Sequence, residues 1–197
     1  MTMILASNSR SRQKILHHAG VPFRSVGADV DEEKIKNTLL KEGCDFQEIA
    51  EQLALAKTLD VSRQFPDDLV IGGDQLLVCD GRLFSKAENM EEARANLRFM
   101  RGKSHTLICS LVMARGAAEI WRATTRPTLT MRDFSDNFLE SYLEQGGAEI
   151  LSSVGCYFYE GLGAQLFSEI EGDYFSILGL PLVQLMEKLR EQEYLLS

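Results

Sequence analysis

The sequence predicts a mixed α/β fold, a twisted sheet with flanking helices, and three observations point to it. Short apolar strands alternate with amphipathic helices at first, longer paired strands follow, and caps, glycines and prolines punctuate the boundaries. A chain of 197 residues, 45% of them hydrophobic, can fill one core or two closely packed lobes around a cleft. One domain over residues 1–197 is the working count, because no linker, charge block, low-complexity tract or repeat divides the chain.

Met3–Ala6 reads as the first strand, and it runs through a Ser/Asn/Arg turn into a helix marked by Ile15, Leu16 and Ala19 and stopped near Gly20. Phe23–Val26 reads as a second strand, and Asp31–Lys41 as a charged helix or a loop. Asp45 with Glu48 forms a capping box ahead of a helical stripe of Ile49, Leu53, Ala56 and Leu59. Leu69–Gly73 and Leu76–Cys79 read as two extended pieces, which puts Asp74 at a strand end, and Asp80-Gly81 signals a hairpin into Arg82–Phe84.

Asn89 and Glu92 give a second capping-box pattern, for a helix carrying Ala93, Leu97 and Met100. Thr106–Arg115 and Ile120–Met131 read as long strands joined around Gly116. Ser135 can cap a helix bearing Phe138, Leu139, Tyr142 and Leu143, which Gly146-Gly147 ends. A glycine-rich loop over Gly155–Gly163, a strand near Leu166–Ile170 and a last helix begun by Pro181 complete the chain.

A formal charge of −8 argues against a nucleic-acid polymer as partner, since that affinity needs clustered Lys and Arg. No run approaches the roughly 20 apolar residues of a membrane helix, and the apolar start lacks the features of a signal peptide. Cys44, Cys79, Cys109 and Cys156 form no CxxC pair, so reduced thiols and a cytoplasmic setting are expected.

Several residues could carry chemistry. The turn before the first helix places Ser7, Ser9, Ser11, Arg10 and Arg12 around backbone N–H groups that suit an anion, although Ser9 could simply cap the helix. Asp74 could hold a metal or activate water, or could be an ordinary turn residue. Asp29, Asp31 and Glu32 could add a carboxylate for Mg²⁺ or could be a solvated face. Lys57 and Lys86 could serve phosphate as point charges. The histidines lack HxH or HExxH spacing, there is no GxxxxGK[ST] loop and no G-x-S-x-G elbow, and His105 reads as a strand-end residue.

Four ordered segments resemble the Maf family of nucleotide pyrophosphatases. LASNSRSRQKIL is similar to the family's LASxSPRRxxLL, and Leu53-Ala54 with Lys57 to its LAxxKA. IGGDQLLVCDGRLFSK resembles its strand, aspartate, hairpin and GKP lysine, and GLGAQLFSEIEGDYFSILGLPL its closing signature. The sequence departs at Arg10 and Ser11, where the family often has Pro and then Arg or Trp, and at Ala87, where it has Pro.

The resemblance implies an ITPase-like fold with two lobes around a cleft, and a hydrolase that splits a nucleoside triphosphate into monophosphate and pyrophosphate with Mg²⁺ or Mn²⁺. It implies Asp74 as proton acceptor, Arg12, Lys57 and Lys86 as phosphate-side cations, Glu32 with Asp74 near the metal, and Ser7 and Ser9 in the polar entry loop. Gln75 and Glu160 resemble the branch acting on 7-methyl-GTP rather than the thymidine/uridine branch. A carboxylate suits the adjacent donors of a guanine edge, which agrees with that direction. The implied role is house-cleaning of the nucleotide pool. Its rival is a nucleotide-binding cell-division regulator with little turnover, and the blandest alternative is a scaffold whose polar residues only cap and turn. A homodimer is compatible with such an enzyme.

Overall fold

The structure, a computed structural model, describes residues 2–196, so the two ends of the expected 1–197 domain lie outside the described residues. Among the described residues, parallel and antiparallel strand pairs occur together with seven α-helices, which makes the fold mixed α/β. The chain divides into two compact units. The first holds the residues up to Gln75, Cys109–Thr125 and those from Tyr174 onward; the second holds Leu76–Ile108 and Arg126–Asp173.

In the first unit, β1 (Met3–Leu5) pairs in parallel with β2 (Arg24–Ser25) and with the start of β3 (Leu69–Cys79). Side chains alternate across β1. Met3 and Leu5 pack with Ile15 and Leu16 of α1 (Arg10–His18) and with Leu185 and Leu189 of α7 (Leu182–Glu191). Ile4 and Ala6 pack with Val61 of α3 (Phe46–Gln64) on the other face. Burial on both faces explains why β1 and the start of β3 read as unbroken apolar runs. The far half of β5 (Ser104–Arg115) forms a hairpin with β6 (Ala118–Thr125) in the same unit.

The charged segment read as helix or loop is α2 (Glu32–Glu42), fixed at both ends. Asp31 Oδ1 accepts from Lys34 N at 2.9 Å, and Gly43 closes the helix at φ +80°, a conformation that glycine adopts without strain. The Asp45/Glu48 capping box of α3 makes both of its reciprocal bonds.

In the second unit, Asp80 and Gly81 both have positive φ, as the hairpin between β3 and β4 (Arg82–Phe84) requires. Helices α4 (Met90–Met100) and α5 (Asp136–Gly146) are tied by Arg94, whose Nε and Nη2 each donate to Glu140 at 2.8 Å. The first residues of β5 pair with β7 (Thr128–Met131), which pairs with β8 (Phe167–Glu171).

The structure differs from the sequence reading in four places. The pieces Leu69–Gly73 and Leu76–Cys79 are one continuous strand, so Asp74 and Gln75 lie within β3 rather than at a strand end. Ile120–Met131 is broken at Arg126-Pro127, where the proline has no N–H to give a ladder, while its carbonyl accepts from Leu107 N at 2.9 Å. At α4, Asn89 Oδ1 accepts from Glu92 N, but Glu92 Oε2 accepts from Glu88 N instead of closing the box on Asn89. The turns Gly147–Ser152 and Leu162–Leu166 are 3₁₀ helices and α6 (Tyr174–Ile177) is a single turn, all too short to show a helical period.

Candidate active site

Two adjacent glycines of β3 set the geometry. A side chain at Gly72 would collide with Thr58 Oγ1 of α3, so the missing Cβ lets α3 approach the strand. Gly73 points the other way, where a Cβ would stand 2.9 Å from Ser110 O and 3.5 Å from Arg12 Cζ. Two turns before Thr58 on the same face, α3 is braced by Glu51, whose Oε2 accepts from Arg122 Nη1 at 2.7 Å. Burial works against the Glu51 carboxylate, but hydrogen bonds from Arg122, Gln47 and Thr124 outweigh it and hold its pKa below the usual value.

The close approach of α3 brings Lys57 to Asp74. Lys57 Nζ donates to Asp74 Oδ1 at 2.7 Å and meets Glu32 Oε2, from the first turn of α2, at 2.6 Å. The two carboxylates differ in surroundings: the Asp74 side chain is 10% exposed and that of Glu32 53%. The Asp74 contact is therefore the stronger, because solvent screens the Glu32 pair. Two carboxylates facing one ammonium form a donor set that suits a hard divalent cation, which takes one or two carboxylates with water and phosphate oxygens. Among the described residues no group of three or more His, Cys, Asp or Glu that could hold a metal ion converges, and Glu32 and Asp74 are the two carboxylates that meet the Lys57 ammonium.

The entry loop is organised around Arg12, buried in the first turn of α1 at 8% exposure. Its Nε donates to Gly179 O at 2.7 Å and its Nη1 to Ser7 Oγ at 3.2 Å. Ser7 Oγ also accepts from Ser9 N at 3.2 Å, and Ser9 Oγ caps α1 by accepting from Arg12 N at 3.4 Å. Ser9 is thus a helix cap and part of the loop at once. Ser25 Oγ donates to Ser7 O at 2.6 Å, and Asn8 lies where a Cβ on Gly27 would stand, which fixes the loop against the chain beyond β2. Ser11 is half-buried in the first turn of α1.

Gln75 is engaged by the closing signature. Its Nε2 donates to Ser176 O at 3.2 Å and to Ile177 O at 3.1 Å. Lys86 and Glu160 belong to the second unit, and both are exposed. Lys86 follows β4, and its neighbour Ala87 is buried and hydrogen-bonds through its backbone to the Cys156 thiol. Burial pushes that thiol up to about 11, partly offset by the Ala87 bond. Glu160 lies on the loop that follows, just before the 3₁₀ turn at Leu162.

Sequence reasoning missed Thr58, Gly179 and the carbonyls of Ser176 and Ile177. Main-chain acceptors have no side-chain signal. Gly179 is likewise seen only in the structure, where its φ of +91° is glycine territory and a Cβ would stand 3.4 Å from Gln75 Oε1.

The chain is similar to several known proteins. A nucleoside triphosphate pyrophosphatase of Granulibacter bethesdensis is 48% identical over 99% of each chain. One of Caulobacter vibrioides is 49% identical over 94% of this chain and 93% of its own. A 7-methyl-GTP pyrophosphatase of Brucella suis is 41% identical over 97% of this chain and 96% of its own. A crystal structure of a nucleoside-triphosphatase, a dITP/XTP pyrophosphatase of Mycobacterium abscessus, covers 98% of this chain and 95% of its own at 14% identity and a TM-score of 0.42. At that distance the likeness adds nothing to the fold read from the strand pairing. The family described as Maf-like protein matches residues 2–192, and with relatives of matching length at these identities the chain belongs to the Maf family.

Proposed function

We propose that this protein is a hydrolase that splits a nucleoside triphosphate into the monophosphate and pyrophosphate with the help of Mg²⁺ or Mn²⁺. The observation that carries the proposal is the buried Asp74 carboxylate held by Lys57 beside Glu32. Full-length relatives named as nucleoside triphosphate pyrophosphatases support it. Water adds to the α-phosphorus, the bond from that phosphorus to the bridging oxygen breaks, and pyrophosphate leaves with the electron pair.

Each residue has a part that its surroundings support. Asp74 accepts the water proton, and its fixed position within β3 keeps the base in one orientation. Lys57 holds that carboxylate and lends positive charge to phosphate oxygens as negative charge builds on the leaving group. Arg12 uses two N–H groups on Gly179 O and Ser7 Oγ, and its remaining donors can bind phosphate in a planar fork. The Maf-family motif after the β3–β4 hairpin assigns Lys86 a further phosphate-side charge. A divalent cation held by Glu32 and Asp74 would neutralise phosphate charge and make water more acidic.

Glu160 favours a guanine edge, whose ring N–H and amino group are adjacent donors, and a cationic 7-methylated guanine gains further from the carboxylate. A relative named as a 7-methyl-GTP pyrophosphatase supports that direction. A role in clearing modified nucleotides from the cytosolic pool fits such a substrate.

The test is a panel of 7-methyl-GTP, GTP, ITP, UTP and dTTP with Mg²⁺ or Mn²⁺, following monophosphate and pyrophosphate separately. Both products from a guanine nucleotide, lost on chelation, are expected. Diphosphate with orthophosphate would refute the cleavage site, and binding without turnover would leave a nucleotide-binding regulator.

A further inference from the structure

We propose that Gln75 is a positioning residue for Arg12 rather than a reader of the base. The proposal rests on the reading of Arg12 as a phosphate ligand. Gln75 Nε2 donates to the carbonyls of Ser176 and Ile177, so both of its donors are committed to the turn of α6. That turn leads directly into Gly179, whose carbonyl accepts from Arg12 Nε at 2.7 Å in a buried setting. At Gly179 a Cβ would lie 3.4 Å from Gln75 Oε1, 3.6 Å from Arg12 Nη2 and 3.7 Å from Arg12 Nε. The two side chains therefore close on the same glycine.

The physical sequence runs from the strand outward. β3 fixes Gln75, the amide of Gln75 fixes the carbonyls at 176 and 177, and that turn fixes the oxygen that orients the guanidinium. Helix α6 spans only Tyr174–Ile177, and a single turn is too short to hold its own geometry without tertiary partners. A guanidinium that must present its fork to phosphate loses rate or affinity when its orientation is no longer imposed. Gln75 and Arg12 should consequently behave as one unit.

The experiment uses Gln75→Met and Gln75→Glu, which keep the length of the side chain, together with Arg12→Ala and the double variant Arg12→Ala/Gln75→Met. Titration with inorganic pyrophosphate, which has no base, reads the phosphate site alone. Both Gln75 variants should weaken pyrophosphate on the order of tenfold, as expected for losing a buried hydrogen-bonded restraint. The double variant should be no weaker than Arg12→Ala alone. Values of kcat/KM for GTP, 7-methyl-GTP and UTP should fall by one common factor.

Unchanged pyrophosphate affinity, an additive double variant, or a changed ranking of the bases would each overturn the proposal, the last returning Gln75 to base recognition. A second readout is independent of turnover: the ¹⁵N-edited NMR signal of Arg12 Nε–H should exchange with solvent faster in Gln75→Met, and unaltered exchange counts against the inference. A wild-type protein that neither binds pyrophosphate nor hydrolyses any triphosphate would remove the proposed function, while the NMR comparison would still decide whether Gln75 holds Arg12.

Discussion

Lys57 Nζ and Asp74 Oδ1 meet at 2.7 Å although they come from the middle of a long helix and the middle of a long strand. Neither residue is placed by a loop. Helix and strand are rigid elements, so the pair is held more narrowly than loop residues would be. Asp74→Asn keeps the shape and removes the proton acceptor. Its kcat should fall by about 10²–10⁴, the usual contribution of a positioned base, with triphosphate binding retained by titration. Undiminished turnover would remove Asp74 from the mechanism.

Gly72 is the second pressure point. Gly72→Ala places a methyl group against Thr58 Oγ1, and α3 must shift to receive it. Overpacking of this kind costs about 1–3 kcal/mol, which urea unfolding reads directly. Because α3 carries Lys57, activity should fall further than stability alone explains. The double variant Gly72→Ala/Thr58→Ala removes the colliding hydroxyl and should recover part of both losses.

His105 makes stability depend on pH. It is 1% exposed, bonds through Nε2 to Tyr157 Oη at 2.7 Å, and burial lowers its pKa from 6.5 to about 4. The unfolded chain therefore binds a proton near pH 6.5 that the folded chain refuses until about pH 4. Stability falls as pH drops through that window, by about 3 kcal/mol in all, since a tenfold difference in proton affinity between the folded and unfolded chains is worth about 1.4 kcal/mol. His105→Gln should be less stable at neutral pH but flatter between about pH 7 and 4.5 by urea titration. An equally steep fall in the variant would place the sensitivity elsewhere.

Glu160→Gln tests base selection without touching the phosphate groups. A neutral amide loses the double acceptor and the negative charge, so the preference for 7-methyl-GTP over UTP should shrink by about tenfold or more. The comparison is a ratio of kcat/KM values, which cancels any common loss. An unchanged ratio would exclude the Glu160 carboxylate from base discrimination.

Much of this was legible in the sequence because caps and turns are local chemistry. Asp45 with Glu48, and Asp80-Gly81, announce their structures by residue type alone. The run Asp74-Gln75 misled because polar residues inside a buried strand look like a strand end. Their partners, Lys57 and the carbonyls of Ser176 and Ile177, lie far away in sequence. Gly72-Gly73 reads correctly as part of the strand but leaves a turn open for the Asp74 that follows, and what the sequence does not show is that each glycine admits a neighbour on its own face. Motif order brought forward Arg12, Lys57 and Asp74. Gly179, which orients Arg12, became visible only in three dimensions.

Attack of water at the α-phosphorus is decided by hydrolysis in H₂¹⁸O. Mass spectrometry should find one ¹⁸O in the nucleoside monophosphate and none in the pyrophosphate. Label in the pyrophosphate, or release of labelled orthophosphate with a nucleoside diphosphate, would contradict it.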